Sequence, residues 1–173
     1  MKSNWIWAGL GLACLAVAGR LVPHASNLTP LYAVALFACA TFPRGTGIWV
    51  PLAAMVASDL ILGLHDTVLF TWSGMLVFAL LGYGLQSRRG AVRTAAAAVA
   101  GSTVFFLWTN LGVWLVSGMY PHTSGGLLQC YTLALPFFRN SLLGDLAFTC
   151  ALFAAFEWVR LRRPVAVVVR SAS

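Results

Sequence analysis

Polar side chains that can bind or ionise lie in a few short groups between long apolar runs of this 173-residue chain. The first group starts at Arg20 and adds an imidazole, an amide and two hydroxyls before Pro30, a density that a plain linker does not need. Polar groups are costly inside a membrane, so their positions mark candidate functional sites. Guanidinium, imidazole and amide groups together can hold a small polar solute by hydrogen bonds and ion pairs.

The remaining polar groups lie near the predicted outer ends of later apolar runs, and several are spaced so that they share one helix face. Asp59 and His65 close the third run, and Asn110 and Trp114 share one face of the fifth through their i, i+4 spacing. The spacing predicts one outward-facing cavity, polar at its base and aromatic at its rim. Its candidate solute-binding residues are Arg20, His24, Asn27, Asp59, His65, Asn110, Trp114, Arg139, Asn140 and Asp145.

The same residues also admit purely structural roles. Arg20 with Asp59, or Arg139 with Asp145, could form buried ion pairs that only fix the register of the helices. Asn27 and Thr29 could simply cap the second helix. The binding hypothesis therefore depends on the convergence of these residues and not on any one of them.

Signatures of catalysis and of metal binding are absent from the sequence. No GxSxG, HExxH, P-loop or GxGxxG occurs, and the four acidic residues form no obvious catalytic pair. The four cysteines lack metal-ligand spacing and lie in apolar surroundings: Cys14, Cys39, Cys130 and Cys150. We expect no enzyme, cofactor or metal site, although an intramembrane hydrolase using Asp59 with His24 or His65 stays an alternative.

Composition indicates the elements that position these residues. Only 9% of the residues are charged and 60% are apolar, with a mean hydropathy of +0.85, whereas soluble domains carry about 25% charged residues. The pattern predicts an all-α integral membrane bundle of about six transmembrane helices, a single domain over residues 1–163. The apolar runs are Trp5–Gly19, Leu31–Phe42, Ile48–Leu64, Val68–Leu85, Ala91–Ser117 and Leu142–Val159, and the weaker Leu127–Phe138 is expected to be a short interfacial or re-entrant piece.

Basic residues indicate the orientation of the bundle, because Lys and Arg concentrate in cytoplasmic loops. With both termini cytoplasmic, nine of the 11 basic residues fall inside and only Arg20 and Arg139 outside. Residues 164–173 then form a basic cytoplasmic tail. The net charge of +7 consequently reports topology and predicts no nucleic-acid partner. We expect a multi-pass protein of the bacterial inner (cytoplasmic) membrane.

Small residues on two of the predicted helices indicate close helix contacts. The first helix carries Gly9 and Ala13 at i, i+4 spacing, and the third carries Ala53 and Ala57 at the same spacing. Packing between helices of the bundle explains such faces more readily than an external partner.

Four motifs together resemble a known family. They are Arg20-x-x-Pro23-His24-x-x-Asn27-x-Thr29-Pro30, Ser58-Asp59-x-x-x-Gly63-x-His65, Phe105-Phe106-x-x-x-Asn110-x-x-x-Trp114, and Leu135-Pro136-Phe137-Phe138. They are similar to DUF6580, a bacterial membrane protein family associated with the substrate-binding S components of energy-coupling factor (ECF) transporters. The resemblance implies a six-helix S component that binds a vitamin-like or metal solute near the outer face. It also implies docking on a membrane scaffold subunit driven by two ATPases.

We therefore expect a membrane subunit that captures a small water-soluble, vitamin-like solute at the outer face for uptake. In this reading Arg20 and Arg139 would hold an anionic group of the solute, and Trp114 would stack on its ring. A structural or assembly protein without a ligand is the main alternative, and it predicts that removal of Arg20 harms folding.

Overall fold

The structure is a computed structural model that describes residues 2–23 and 27–162, with side chains from Trp5 onward. Within these ranges the protein is all-α, as the sequence predicts, and no strand occurs. The helices are α1 (Lys2–Leu21), α2 (Leu31–Thr41), α3 (Trp49–Leu62), α4 (Val68–Leu85), α5 (Ala91–Val116) and α6 (Ser124–Arg162). The predicted tail at 164–173 lies outside the described residues.

In the described part of the chain three helices, not six, are long and apolar enough to cross a membrane on their own: α4, α5 and α6. The expectation of six full-length spans is to that extent wrong. With 11 residues, α2 is about 17 Å long, roughly half of a bilayer core. It lies inside the bundle, where α1, α3, α4 and α6 all pack against it, and nine of its residues are buried. A helix enclosed by protein does not need to match the thickness of the lipid.

The expected short piece at Leu127–Phe138 is instead part of α6, which runs unbroken for 39 residues. Pro136 lies inside this helix without ending it. Proline removes one backbone donor, and apolar helices of membrane proteins tolerate the loss because neighbouring groups satisfy the freed carbonyl. The sixth apolar run and the preceding weaker stretch are consequently one element.

Glycines let aromatic rings enter the interface between α4 and α5. A Cβ added to Gly101 would lie 2.6 Å from the Phe78 ring, and one added to Gly74 would lie 2.7 Å from the Phe105 ring. Only a residue without a side chain fits at such distances. These contacts bring α4 and α5 together beside the centre of the bundle.

Contact between α1 and α3 follows the small residues predicted from the sequence. The two helices pack directly on each other, and a Cβ at Gly9 of α1 would lie 3.3 Å from the Val50 side chain of α3. The other small pair, Ala53 and Ala57, lies on the exposed side of α3. The packing brings the end of α1 at Arg20 next to the end of α3 at Asp59.

Candidate functional site

A salt bridge joins the ends of α1 and α3. Arg20 Nη2 lies 2.6 Å from Asp59 Oδ1, and the Asp59 side chain is only 1% exposed while that of Arg20 is 18% exposed. The indole nitrogen of Trp72 on α4 donates to Asp59 Oδ2 at 2.6 Å. The first of the two predicted ion pairs is thus present, and one ion pair and one hydrogen bond hold the Asp59 carboxylate in the apolar bundle.

The guanidinium of Arg20 is bonded further to α3. Nη1 donates to Ser58 Oγ at 2.7 Å and approaches the Met55 sulfur at 3.4 Å. These bonds direct Arg20 back onto the protein, and the carboxylate of Asp59 balances its charge. The pair as a whole is electrically neutral.

A cavity of about 320 Å³ opens at the same end of the bundle. Four of the predicted residues line it: Arg20, Asn27, His65 and Asn110. The other polar groups of the lining are hydroxyls. Four phenylalanines and one tyrosine contribute benzene-type aromatic rings. These further residues are Thr29, Thr67, Thr71, Ser102, Thr109, Ser141, Tyr32, Phe105, Phe106, Phe137 and Phe138.

Asp145 lies behind the cavity wall. Ser102, which faces the cavity, donates its hydroxyl proton to Asp145 Oδ2 at 2.6 Å, and the carboxylate side chain is buried. The alternative pair of Arg139 with Asp145 does not form: among the side chains of residues 5–23 and 27–162, the only salt bridges join Arg20 with Asp59 and Arg160 with Glu157. Asp145 therefore lacks a cationic partner in that part of the chain.

Besides Asp59 and Asp145, three predicted residues lie outside the cavity lining. Trp114 donates its indole N–H to the carbonyl of Pro121 at 3.0 Å and packs edge-on against His122, so it anchors the connection between α5 and α6. Arg139 is exposed, and Asn140 is half-buried. His24 lies outside the described residues. The structure thus groups Arg20, Asn27, His65 and Asn110 around the cavity, with Asp59 and Asp145 directly behind it.

The hydroxyl and aromatic lining was missed from the sequence, although a periodic signal was present. On α5 the lining residues Ser102, Phe106, Thr109 and Val113 recur at intervals of three or four, which places them on one helix face. Serines, threonines and phenylalanines are common throughout apolar helices. The polar side chains alone were therefore a poor guide to this face.

The geometry bears on catalysis and on metals as well. His65 Nδ1 lies 2.9 Å from Thr67 Oγ1, whereas Asp59 is engaged by Arg20 and Trp72. The hydrolase alternative requires contact between Asp59 and a histidine, and the structure shows no such contact for His65. No group of three or more His, Cys, Asp or Glu residues suited to a metal ion occurs among the described residues.

A second cavity of about 490 Å³ lies at the opposite end, between α1, α2 and α6. Its lining is apolar apart from Thr41 and Arg160, and it includes Trp5, Phe37 and Phe156. Arg160 is engaged by Glu157 of the same helix at 3.3 Å. Polar recognition groups are therefore concentrated at the other end, in the cavity beside Arg20.

Comparison with known protein families identifies the chain. A model described as a family of unknown function (DUF6580) matches residues 1–167. The chain belongs to DUF6580. The match spans all six helices of this DUF6580 protein, and so includes every residue of the cavity lining. No curated protein and no solved structure matches it.

Proposed function

We propose that this DUF6580 protein is a substrate-binding membrane subunit, similar to an S component, that captures a small water-soluble solute for uptake. The observation that carries the proposal is the cavity beside Arg20. Polar side chains from four helices, from the α1–α2 connection and from the α3–α4 connection line this one space. Polar groups are costly among apolar helices, and a cluster of them around an open cavity is typical of a ligand site. The proposal includes no catalytic step.

Charge distribution supports an outward-facing cavity. The cavity lies where α1 and α3 end and where α2 and α4 begin. Basic residues of the described chain gather at the opposite end: Arg44, Arg88, Arg89, Arg93, Arg160 and Arg162. Because Lys and Arg mark the cytoplasmic side, we place the cavity outside, both termini inside, and the protein in the bacterial inner membrane. The six helices then run in alternating directions.

Two threonines of α5 provide a matched test of the binding proposal. Thr109 and Thr103 each donate to the carbonyl four residues earlier at 2.8 Å, but only Thr109 lines the cavity. Native mass spectrometry of the gently purified protein is expected to show a bound small molecule in wild type and in Thr103→Leu. Thr109→Leu, which puts a larger, apolar side chain into the cavity and removes a hydroxyl, is expected to lose it. A wild-type protein that carries no small molecule, or equal occupancy in the two variants, would contradict the proposal.

Uptake requires an energy source, and we propose that an ECF-type scaffold subunit with two ATPases supplies it. The exposed small pair Ala53 and Ala57 of α3 offers a face on which another helix can approach closely, while Gly9 of α1 is buried inside the bundle. We expect Ala57→Leu to abolish uptake and co-purification of the scaffold without changing solute binding. Ala96→Leu, on the exposed side of α5, is the control. Equal co-purification by the two variants would refute this docking face.

A structural or assembly role is the second candidate, because the bonds around Arg20 could serve only to hold the helices together. Its guanidinium bonds to Ser58 and Asp59 join α1 to α3, and Trp72 adds α4. This candidate predicts an empty cavity and no effect of Thr109→Leu on any bound molecule. The mass-spectrometric comparison therefore separates the two candidates.

A further inference from the structure

Five polar side chains of the cavity lining donate hydrogen bonds to the protein itself. The hydroxyls of Thr71, Thr109 and Ser141 donate to carbonyls of their own helices, Ser102 donates to Asp145, and the Asn110 amide donates to the Phe106 carbonyl. A hydroxyl has a single proton but two lone pairs, so its free capacity is that of an acceptor. The side-chain carbonyl of Asn110 is likewise an acceptor. These five side chains therefore present mainly acceptors to the contents of the cavity.

The charges around the cavity do not favour an anion. The positive charge of Arg20 is balanced by Asp59 at 2.6 Å. Asp145 lies directly behind Ser102 and has no cationic partner among the side chains of residues 5–23 and 27–162. Arg139, the other cation expected to bind an anionic group, lies outside the lining. The local charge is consequently neutral or negative.

The aromatic lining of the cavity also favours a cation over an anion. Tyr32 and Phe105 have ring centroids 4.3 Å apart, and those of Phe106 and Phe138 are 4.6 Å apart, so two ring pairs border the cavity. The face of an aromatic ring carries partial negative charge and attracts organic cations. It also stacks on flat heterocycles.

From these three features we infer that the solute is an organic cation, a flat ring compound that carries a protonated amine or comparable N–H donors. The inference rests on the proposed function and replaces the anionic group expected from the sequence. The ring packs between the phenylalanines, and the cationic N–H groups donate to the hydroxyl and amide oxygens of Thr109 and Asn110. Ser102 places the cation near the carboxylate of Asp145.

Three indole compounds of nearly equal size and different charge test this inference on the full chain. Tryptamine is a cation, indole-3-ethanol is neutral and indole-3-acetate is an anion at neutral pH. Isothermal titration of the purified protein in a neutral detergent is expected to show tryptamine binding at least about tenfold more tightly than indole-3-acetate. Indole-3-acetate binding as well as or better than tryptamine overturns the inference and leaves the proposed function standing. Failure of all three to bind also overturns the inference, and the mass-spectrometric comparison of the threonine variants then decides the proposed function separately.

Acid-to-amide variants test whether the charges of the site set this preference. Asp59→Asn leaves the guanidinium of Arg20 unbalanced and is expected to shift the preference towards indole-3-acetate. Asp145→Asn keeps an acceptor for Ser102 and is expected to weaken tryptamine binding, which covers the case in which Asp59→Asn does not fold. Glu157→Gln, an exposed acid at the opposite end, is expected to leave all three affinities unchanged. Unchanged affinity ratios in both Asp59→Asn and Asp145→Asn would overturn the inference.

Discussion

The ion pair of Arg20 and Asp59 joins three helices. Its guanidinium bonds to Ser58 and Asp59 of α3, and Asp59 in turn accepts from Trp72 of α4. A buried ion pair contributes little net stability compared with apolar residues, but removal of one partner leaves an uncompensated charge among apolar groups. The cost of losing Arg20 should therefore come mainly from the stranded carboxylate of Asp59.

Neutralising Arg20 alone and together with Asp59 separates these effects. Arg20→Met is expected to destabilise the protein by about 3–5 kcal/mol, the cost of breaking a buried pair. The double variant Arg20→Met with Asp59→Leu is expected to recover most of that loss because no buried charge remains. Thermal unfolding in detergent, followed by circular dichroism, measures both. Equal melting temperatures for wild type and Arg20→Met would show that the ion pair does not contribute to the stability of the protein.

At the scale of the helices, the spacing of α4 and α5 depends on rings that lie against glycines. Phe78 of α4 packs on Gly101 of α5, and Phe105 of α5 packs on Gly74 of α4. Because Phe105 also lines the cavity, the same interlocking that holds the two helices positions part of the aromatic wall. Any widening of this interface should change the cavity.

Gly101→Ala is expected to lower the free energy of unfolding by about 1–3 kcal/mol, because the added methyl group would lie 2.6 Å from the Phe78 ring. Gly84→Ala in α4 is the matched control, since a Cβ there meets no atom within 4 Å and alanine favours the helix. Comparison of the two thermal midpoints measures the effect. A Gly101→Ala protein as stable as the Gly84→Ala protein would mean that the α4–α5 contact is not tightly packed.

The bounds of some helices could be predicted from the sequence better than those of others. Four apolar runs match α2, α3, α4 and α5 to within two residues at each end, because long apolar stretches bounded by polar or glycine residues have few other solutions. The continuity of α6 through Pro136 was missed, since proline ordinarily signals a break. Hydropathy also cannot distinguish a central helix such as α2 from a lipid-facing one, because both are apolar.

The residues of the cavity also differ in how well the sequence predicted their positions. Charged residues were informative because an ionised group in an apolar bundle needs a partner, and Arg20 and Asp59 are close in the predicted arrangement. Arg139 and Trp114 were misplaced because the position of a residue along a helix does not determine which neighbour its side chain meets. Those directions depend on helix rotation, which α6 acquires from packing along its whole length.

For the whole molecule, the six helices run alternately between an end that carries the cavity and an end that carries most of the arginines. This polarity is the basis for placing the cavity outside. Met119, in the connection between α5 and α6, and Ser87, between α4 and α5, are both exposed and lie at opposite ends.

Cysteine labelling tests this orientation directly. In a variant whose four native cysteines are replaced by alanine, Met119→Cys is expected to react with a membrane-impermeant maleimide on intact cells. Ser87→Cys is expected to react only after the cells are lysed. The reverse pattern would place the cavity on the cytoplasmic side and contradict the proposed direction of uptake.

The charge balance between Arg20 and Asp59 has a consequence for the energetics of transport. The Arg20–Asp59 pair is neutral as a whole, so it adds nothing to the charge that moves with the solute and does not change the electrical work of the proposed transfer. A monovalent cation that enters the cell gains about 2.3 kcal/mol for each 100 mV of a membrane potential that is negative inside. The resting voltage of the cell would thus draw such a solute inward and oppose its return.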